Sequence, residues 1–339
     1  MKTSIVILNW NGAEMLRRFL PTVVAALEPD SEVVVADNGS IDGSLALLER
    51  EFPSVRRIAL LQNYGFAEGY NRALAQVEAE YFVLLNSDVR VEPGWLAPLT
   101  DYMDVHPEAA ACQPKLLSER EPDKFEYAGA CGGFIDRYGY PFCRGRVFGE
   151  VETDHGQYDD TASLFWATGA ALLIRRKDWQ DVGGLDGRFF AHMEEIDLCW
   201  RLRARGRQVV CVPQSRAYHV GGGTLAQGNP RKTFLNFRNN LLLLYKNLPE
   251  QELRRVMCVR FFLDYVAALK FLLGGSPGEA KAVWRARREF RRIKAGFLPQ
   301  REANLRAATL HNIPERYATS LLAEFYLRRH KTFATLRRA

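Results

Sequence analysis

Residues 33–44 read VVVADNGSIDGS. Four apolar residues, Val33 to Ala36, run straight into a carboxylate, an Asn-Gly turn and two hydroxyls. A short continuous apolar run closed by turn residues reads as a strand buried on both faces. The pattern recurs on either side. Ile5-Val6-Ile7-Leu8 runs into Asn9-Trp10-Asn11-Gly12, and Tyr81 to Leu85 runs into Asn86-Ser87-Asp88. Between these strands, residues 13–27 place Met15, Leu16, Phe19, Leu20 and Val23 on one helical face. Residues 43–50 and 67–77 also read as helices, and residues 55–61 as a further strand. This alternation predicts an α/β fold with a mainly parallel sheet flanked by helices. Ligands of such sheets bind outside the C-terminal strand ends, where the three polar clusters fall. Each cluster alone has a plainer role as well, since Asp37 can cap a helix and Asn-Gly commonly makes a turn.

Further along, residues 104–160 carry weak periodicity and predict one or two strands with a long variable loop. A strand pattern returns at 161–174, a loop feeding a helix at 186–206, and a strand at 208–212. Beyond the glycine run at 221–223 the chain reads as helical over 233–245, 251–273 and 280–293, with Pro249 and the Gly-Gly-Ser-Pro-Gly at 274–278 as breakers. The expected division is an α/β domain over 1–230, in two halves at 1–110 and 111–230, followed by a basic helical extension over 231–339.

The chain has 339 residues, 47% of them hydrophobic and 25% charged, enough for one large domain and an appendage. Its net charge of +6 is concentrated toward the C-terminus, which suggests an anionic partner surface or, more plainly, a solvated helix face. Six cysteines without a CxxC pair read as reduced core thiols of a cytoplasmic protein, with a Cys131–Cys143 bridge as the alternative. The N-terminus lacks the h-region of a signal peptide.

Three groups carry chemistry. A carboxylate after a strand, as at Asp88, can hold Mg²⁺ or Mn²⁺ while leaving room for phosphate oxygens. In Phe189 to Arg201 the acidic residues open a helix, as its dipole favours. Asp197 and Arg201 are spaced to pair, and Glu194 or Glu195 is placed to take a proton from a hydroxyl. His219 precedes a glycine run and is a candidate metal ligand beside Asp88.

Taken in order, the blocks SIVILNWNG (4–12), VVVADNGSIDGS (33–44), NYGFAEGYNRAL (63–74), LLNSD (84–88), WATGAALLIRR (166–176), GGLDGRFFAHMEEIDLCWRLRARG (183–206) and YHVGGGT (218–224) resemble glycosyltransferase family 2. The branch they are most similar to holds rhamnosyltransferase-like enzymes of bacterial cell-surface polysaccharide synthesis. The resemblance implies the A-type glycosyltransferase fold and inverting, metal-dependent transfer from a UDP or dTDP sugar to a glycan or lipid-linked acceptor. It assigns Leu8, Trp10, Asp37, Gly69, Asn71, Asn86, Ser87 and Asp88 to nucleotide-sugar binding. Of these, Trp10 and Asp37 line the base pocket, and Gly69 and Asn71 lie near the phosphates. Asp88 and His219 fall to the divalent metal, Mg²⁺ or Mn²⁺, with Asn86 standing where the family's motif begins with Asp. Glu195 matches the catalytic base position, with Glu194 as its substitute. Trp166, Gly169 and Ala170 fall to the acceptor side.

Residues 256–273 form the one candidate membrane segment. Arg260, Asp264 and Lys270 oppose spanning, each costing about 2.5–3.5 kcal/mol at a bilayer centre. An amphipathic helix packed on the catalytic domain is expected, and a helix lying on an anionic membrane, at the inner face of the cytoplasmic membrane and aided by Arg285, Arg287, Arg288, Arg291 and Arg292, is its rival. Nucleic acid is not an expected partner. A non-enzymatic nucleotide-sugar-binding scaffold and a nucleotidyltransferase are the competing functions. The second lacks the basic glycine-rich loop it needs after the first strand, as a dehydrogenase lacks GxGxxG.

Overall fold

The structure is a computed structural model that describes residues 1–221 and 228–336. The first eighty-odd residues follow the predicted alternation. β1 (Thr3–Asn9), α1 (Ala13–Ala25), β2 (Ser31–Asp37), α2 (Ser44–Glu51), β3 (Arg56–Ala59), α3 (Gly65–Leu74) and β4 (Tyr81–Asn86) succeed one another, and β4, β1, β2 and β3 pair in parallel. Alternate residues of each strand enter different cores. Ile5, Ile7, Val33 and Val35 pack with Leu16, Leu20 and Leu47 of α1 and α2. Val6, Val34, Ala36 and Leu84 pack with Ala67, Tyr70 and Ala73 of α3. Both sheet faces are buried, so these strands are apolar throughout instead of alternating.

β5 (Val89–Val91) and α4 (Ala97–Val105) lead into β6 (Ala109–Ser118). Then come β7 (Gly133–Asp136), β8 (Pro141–Cys143), β9 (Arg146–Val147), β10 (Glu150–Val151), β11 (Ala162–Ser163), β12 (Ala171–Arg175), α5 (Arg176–Val182), α6 (Glu194–Ala204) and β13 (Gln208–His219). The main sheet has nine strands in the order β11-β13-β6-β12-β4-β1-β2-β3, with β5 paired to β13. β12 runs antiparallel to β4, so the sheet is mixed.

Where one or two strands are expected over 104–160, the chain forms the ten-residue β6 and four short strands, β7 to β10. β6 is hidden in the sequence by Gln113-Pro114-Lys115. Lys115 is nonetheless buried, its ammonium held by Asp154 and Asp159. The 161–174 strand divides into β11 and β12, because the chain between them leaves the main sheet to bond Gly133 through Phe165 and Trp166.

α7 (Pro230–Asn247), α8 (Glu250–Leu273), α9 (Pro277–Ile293) and α10 (Leu298–Ala307) form the helical extension, which ends in β14 (Arg316–Tyr317). β14 pairs with β7 and completes a second, five-stranded sheet. The extension is therefore woven into the 111–230 region. Among the described residues no helix is long and apolar enough to cross a membrane. The thiols correct two readings. Cys258 is exposed instead of buried, and the sulfur facing Cys131, at 3.5 Å, belongs to Cys211 and not to Cys143.

Candidate active site

Parallel register sets the donor side. Asn9 stands opposite Asp37, and Leu8 opposite Asn86, at the C-terminal edge of the sheet. The Asn9 amide donates to Asp37 Oδ1 (3.0 Å) and Ser40 Oγ (3.2 Å), while the Ser40 N–H donates to Asp37 Oδ2 (2.9 Å). Asp37 is 1% exposed, so it braces this edge from within. Asn9 Oδ1 is buried without a partner and faces Gly12, where a Cβ would approach it to 2.4 Å. Trp10, 44% exposed, stands at the mouth. Gly69 lets α3 approach β1, since a Cβ there would meet Leu8 at 2.9 Å. Asn71 exchanges two hydrogen bonds with the backbone of Leu185, which ties α3 to the segment before α6.

β13 lies antiparallel to β5, with His219 opposite Val89. This brings His219 Nε2 to 3.1 Å from Asp88 Oδ1 and 3.5 Å from the Asn86 amide. On the other side of the ring, Nδ1 is 3.2 Å from Glu126 Oε1, a carboxylate 3% exposed. Burial disfavours a charged His219, but Glu126 and Asp88 outweigh it and hold its pKa up at about 10. Burial likewise pushes Asp88 upward, and His219 overcomes this to leave its pKa lowered. The residues 222–224 that complete the glycine motif lie outside the described residues.

The pair fits a divalent cation. Adjacent octahedral ligands at 2.0–2.1 Å from a metal are about 3 Å apart, close to the Asp88–His219 spacing. A ligating His usually donates its second N–H to a carboxylate, which is where Glu126 stands. Among the described residues no group of three or more His, Cys, Asp or Glu side chains forms a full metal cage. Substrate phosphates supply the remaining ligands in sites of this kind.

The third component is the segment entering α6. Phe190, His192 and Met193 all have positive φ, at 67°, 71° and 73°. Such conformations cost roughly 1–3 kcal/mol each and persist only when neighbours enforce them. From the donor half, the Phe66 and Ala67 N–H groups donate to the Phe190 carbonyl (2.7 and 3.2 Å). From α7, the Asn239 amide donates to the carbonyls of Phe189, Ala191 and His192 (3.0, 2.8 and 2.8 Å). Arg238 adds a bond to Phe189. Gly65 is required below, because a Cβ would stand 2.5 Å from the Phe190 ring.

The clamped loop delivers Glu194 and Glu195 to the start of α6. Burial raises Glu195 to about 7, partly offset by backbone N–H groups, and its Oε2 has no partner. Burial and the neighbouring Glu195 push Glu194 well above the ordinary range. Behind them Asp197 is fully buried and, as the spacing predicts, pairs with Arg201 (2.9 Å). It also binds Lys246 (2.7 Å) and Asn247 (2.9 Å) of α7. Gly169 packs between Phe66 and Glu195, where a Cβ would meet them at 3.0 and 3.7 Å, and Ala170 is buried beside it. Trp166 is 3% exposed, donates its N–H to the Phe134 carbonyl and covers Gly133, so it supports the acceptor side from beneath.

Glu126 and Asn239 are absent from the sequence reading. Glu126 lies in an unpatterned stretch with no local signal. Asn239-Asn240, two amides directly before the apolar run Leu241 to Leu244, are a signal that could have been followed.

Structures sharing this fold are A-type glycosyltransferases. GalNAc-T7, solved with UDP, GalNAc and Mn²⁺, superposes with a TM-score of 0.59 at 14% identity, over 94% of this chain and 59% of that one. Residues 4–163 match the glycosyl transferase family 2 model. The match spans just under half of the chain, from β1 to β11. It is similar to the N-acetylglucosaminyl-diphospho-decaprenol L-rhamnosyltransferase of Mycobacterium tuberculosis, 29% identical over 63% of this chain and 75% of that protein. It is also similar to the O-antigen biosynthesis protein RfbC of Myxococcus xanthus, 29% identical over 64% of this chain and 17% of that protein.

Proposed function

We propose that the protein transfers a sugar, with inversion, from a UDP or dTDP sugar to a hydroxyl of a glycan or lipid-linked acceptor. The observation that carries this reading is the juxtaposition of Asp88 with His219 at the sheet edge, completed by Glu195, whose Oε2 has no partner. The nucleotide lies across the ends of β1, β2 and β4, between Trp10 and the Asn9–Asp37–Ser40 network, with Gly69 seating α3 closely against Leu8 of β1. Asp88 and His219 hold Mg²⁺ or Mn²⁺, which when bound takes up charge from a departing diphosphate. Glu126 orients His219 so that Nε2 faces Asp88.

Glu195 is the base. It accepts the acceptor hydroxyl's proton as that oxygen bonds the anomeric carbon in line, and the bond from that carbon to the diphosphate oxygen breaks on the opposite face. Glu194 is the more deeply buried of the two, while Glu195 keeps partial exposure, which favours Glu195 over its neighbour. Gly169 leaves space beside Glu195 for the acceptor. Likeness to the decaprenol-linked rhamnosyltransferase supports a lipid-linked acceptor.

Calorimetric titration with UDP and dTDP, each with and without Mn²⁺, tests the reading. Binding of one nucleotide enhanced by Mn²⁺, with the enhancement lost in Asp88→Ala, is expected. A folded protein that binds neither nucleotide overturns the proposal.

A further inference from the structure

α8 buries one charged pair and exposes a stripe of large apolar side chains. Arg260 and Asp264 are buried, paired with each other at 3.0 Å and with Arg287 of α9. Arg260 also donates to the Tyr138 carbonyl at 2.8 Å. Two of the three charges that oppose spanning, Arg260 and Asp264, are therefore paired on the protein side. On the opposite face Phe262, Val266, Leu269 and Leu273 are 64, 63, 55 and 80% exposed. Their i, i+4, i+7, i+11 spacing makes one stripe along the helix. A helix covering a protein core has the reverse arrangement.

The rim of the stripe is basic and aromatic. Arg255 and Lys270 are exposed on α8, and Arg285 and Arg288 are exposed on α9 beside the half-exposed Trp284. Arg287 is not part of this rim, because it serves the buried pair. Lys270 bonds the exposed Tyr326, which extends the patch to Leu327. Between residues 254 and 288 the only carboxylates are Asp264 and Glu279. The first is buried, and the second is bound by Thr233. The face therefore offers apolar bulk, interfacial Trp and Tyr, and a surplus of positive charge.

We propose that this face of α8 and α9 docks on an anionic phospholipid surface, the helices lying along the interface with the stripe sunk into the headgroup–acyl boundary. A second copy fits less well, because its own Arg and Lys rim would meet this one in a self-complementary contact. The proposal stands on the helical layer alone and is independent of the donor and metal assignments.

The test is flotation of the full chain with vesicles of phosphatidylglycerol and phosphatidylcholine, against vesicles of phosphatidylcholine alone. Expected is at least about tenfold enrichment on the anionic vesicles, falling with added salt. Phe262→Ser/Leu269→Ser/Leu273→Ser should abolish flotation, and Arg285→Glu/Arg288→Glu should reduce it by about tenfold or more. All these side chains are exposed, so melting temperatures should stay near that of the parent and certify folding. Equal recovery with both vesicle types overturns the proposal. So does a triple variant that still floats, or light scattering that shows a parent dimer becoming a monomer in the triple variant.

Discussion

Glu126 Oε1 stands 3.2 Å from Nδ1 of His219, on the side of the ring away from Asp88. The contact joins the unpatterned stretch after β6 to the last residue of β13. A second carboxylate fixing a ligating His typically supports affinity by 10–100-fold. Glu126→Gln should therefore weaken Mn²⁺-dependent nucleotide binding by about that factor, read by calorimetry, while metal-free nucleotide binding stays unchanged. Parental Mn²⁺ enhancement in a folded Glu126→Gln protein would refute the positioning role.

Asn239 serves three carbonyls of the catalytic loop from a helix outside the main sheet. Asn239→Ala strands those carbonyls and frees a loop held in unfavourable backbone conformations. A displacement of about 1 Å costs on the order of 100-fold in rate. kcat should fall by about that amount, with nucleotide Kd within twofold of the parent. Equal loss in both would mean that the fold, and not the loop, had been damaged.

The pH dependence follows from Glu195. Its base form is required, and its pKa is raised to about 7. kcat/KM should rise tenfold per pH unit below about 7 and level above it, and Glu195→Gln should lose about 10²–10⁴-fold. Stability should move the opposite way. The folded state holds this proton more tightly than the unfolded chain, where Glu titrates near about 4.3. Between those values the native state binds more protons, so stability declines as pH rises. Glu195→Gln should flatten that slope in melting curves recorded from pH 4 to 8.

Asp197 ties α6 to α7 through Lys246 and Asn247, with no exposure to water. Removing one partner of a buried ion pair leaves uncompensated charge and costs about 3–5 kcal/mol. Asp197→Asn should lower stability by about that amount in urea denaturation. A change below about 1 kcal/mol would show the cluster to be poorly coupled.

The donor half was legible because its physics is local. Apolar runs at β1, β2 and β4 end in polar clusters, and chain order alone places those ends together. Glu194 and Glu195 were legible as acids opening a helix. What escaped depends on tertiary contacts. Strands of two to four residues, such as β8 to β10, are too short to show a period. The lysine in β6 looks like a surface residue until Asp154 and Asp159 arrive from forty residues away. Trp166, placed on the acceptor side by resemblance, lies over Gly133, a packing contact that no local pattern shows. Arg260 and Asp264 read as obstacles to an apolar environment, because their mutual pairing and the reach of Arg287 exist only once α8 and α9 pack.

The parallel pairing of β14 with β7 has a consequence for biogenesis. The Leu321 N–H donates to Asp136 across 185 residues of sequence. The ribosome adds about 5–20 residues each second, so the small sheet waits roughly 10–40 s for its edge after β7 has emerged. Long-range parallel pairing is also slow to form. The nucleotide half, built from neighbouring segments, can fold during this delay. During synthesis the nascent chain passes through a stage with a formed donor side and an unfinished acceptor side. In that interval the open strand edges of the small sheet need protection from aggregation.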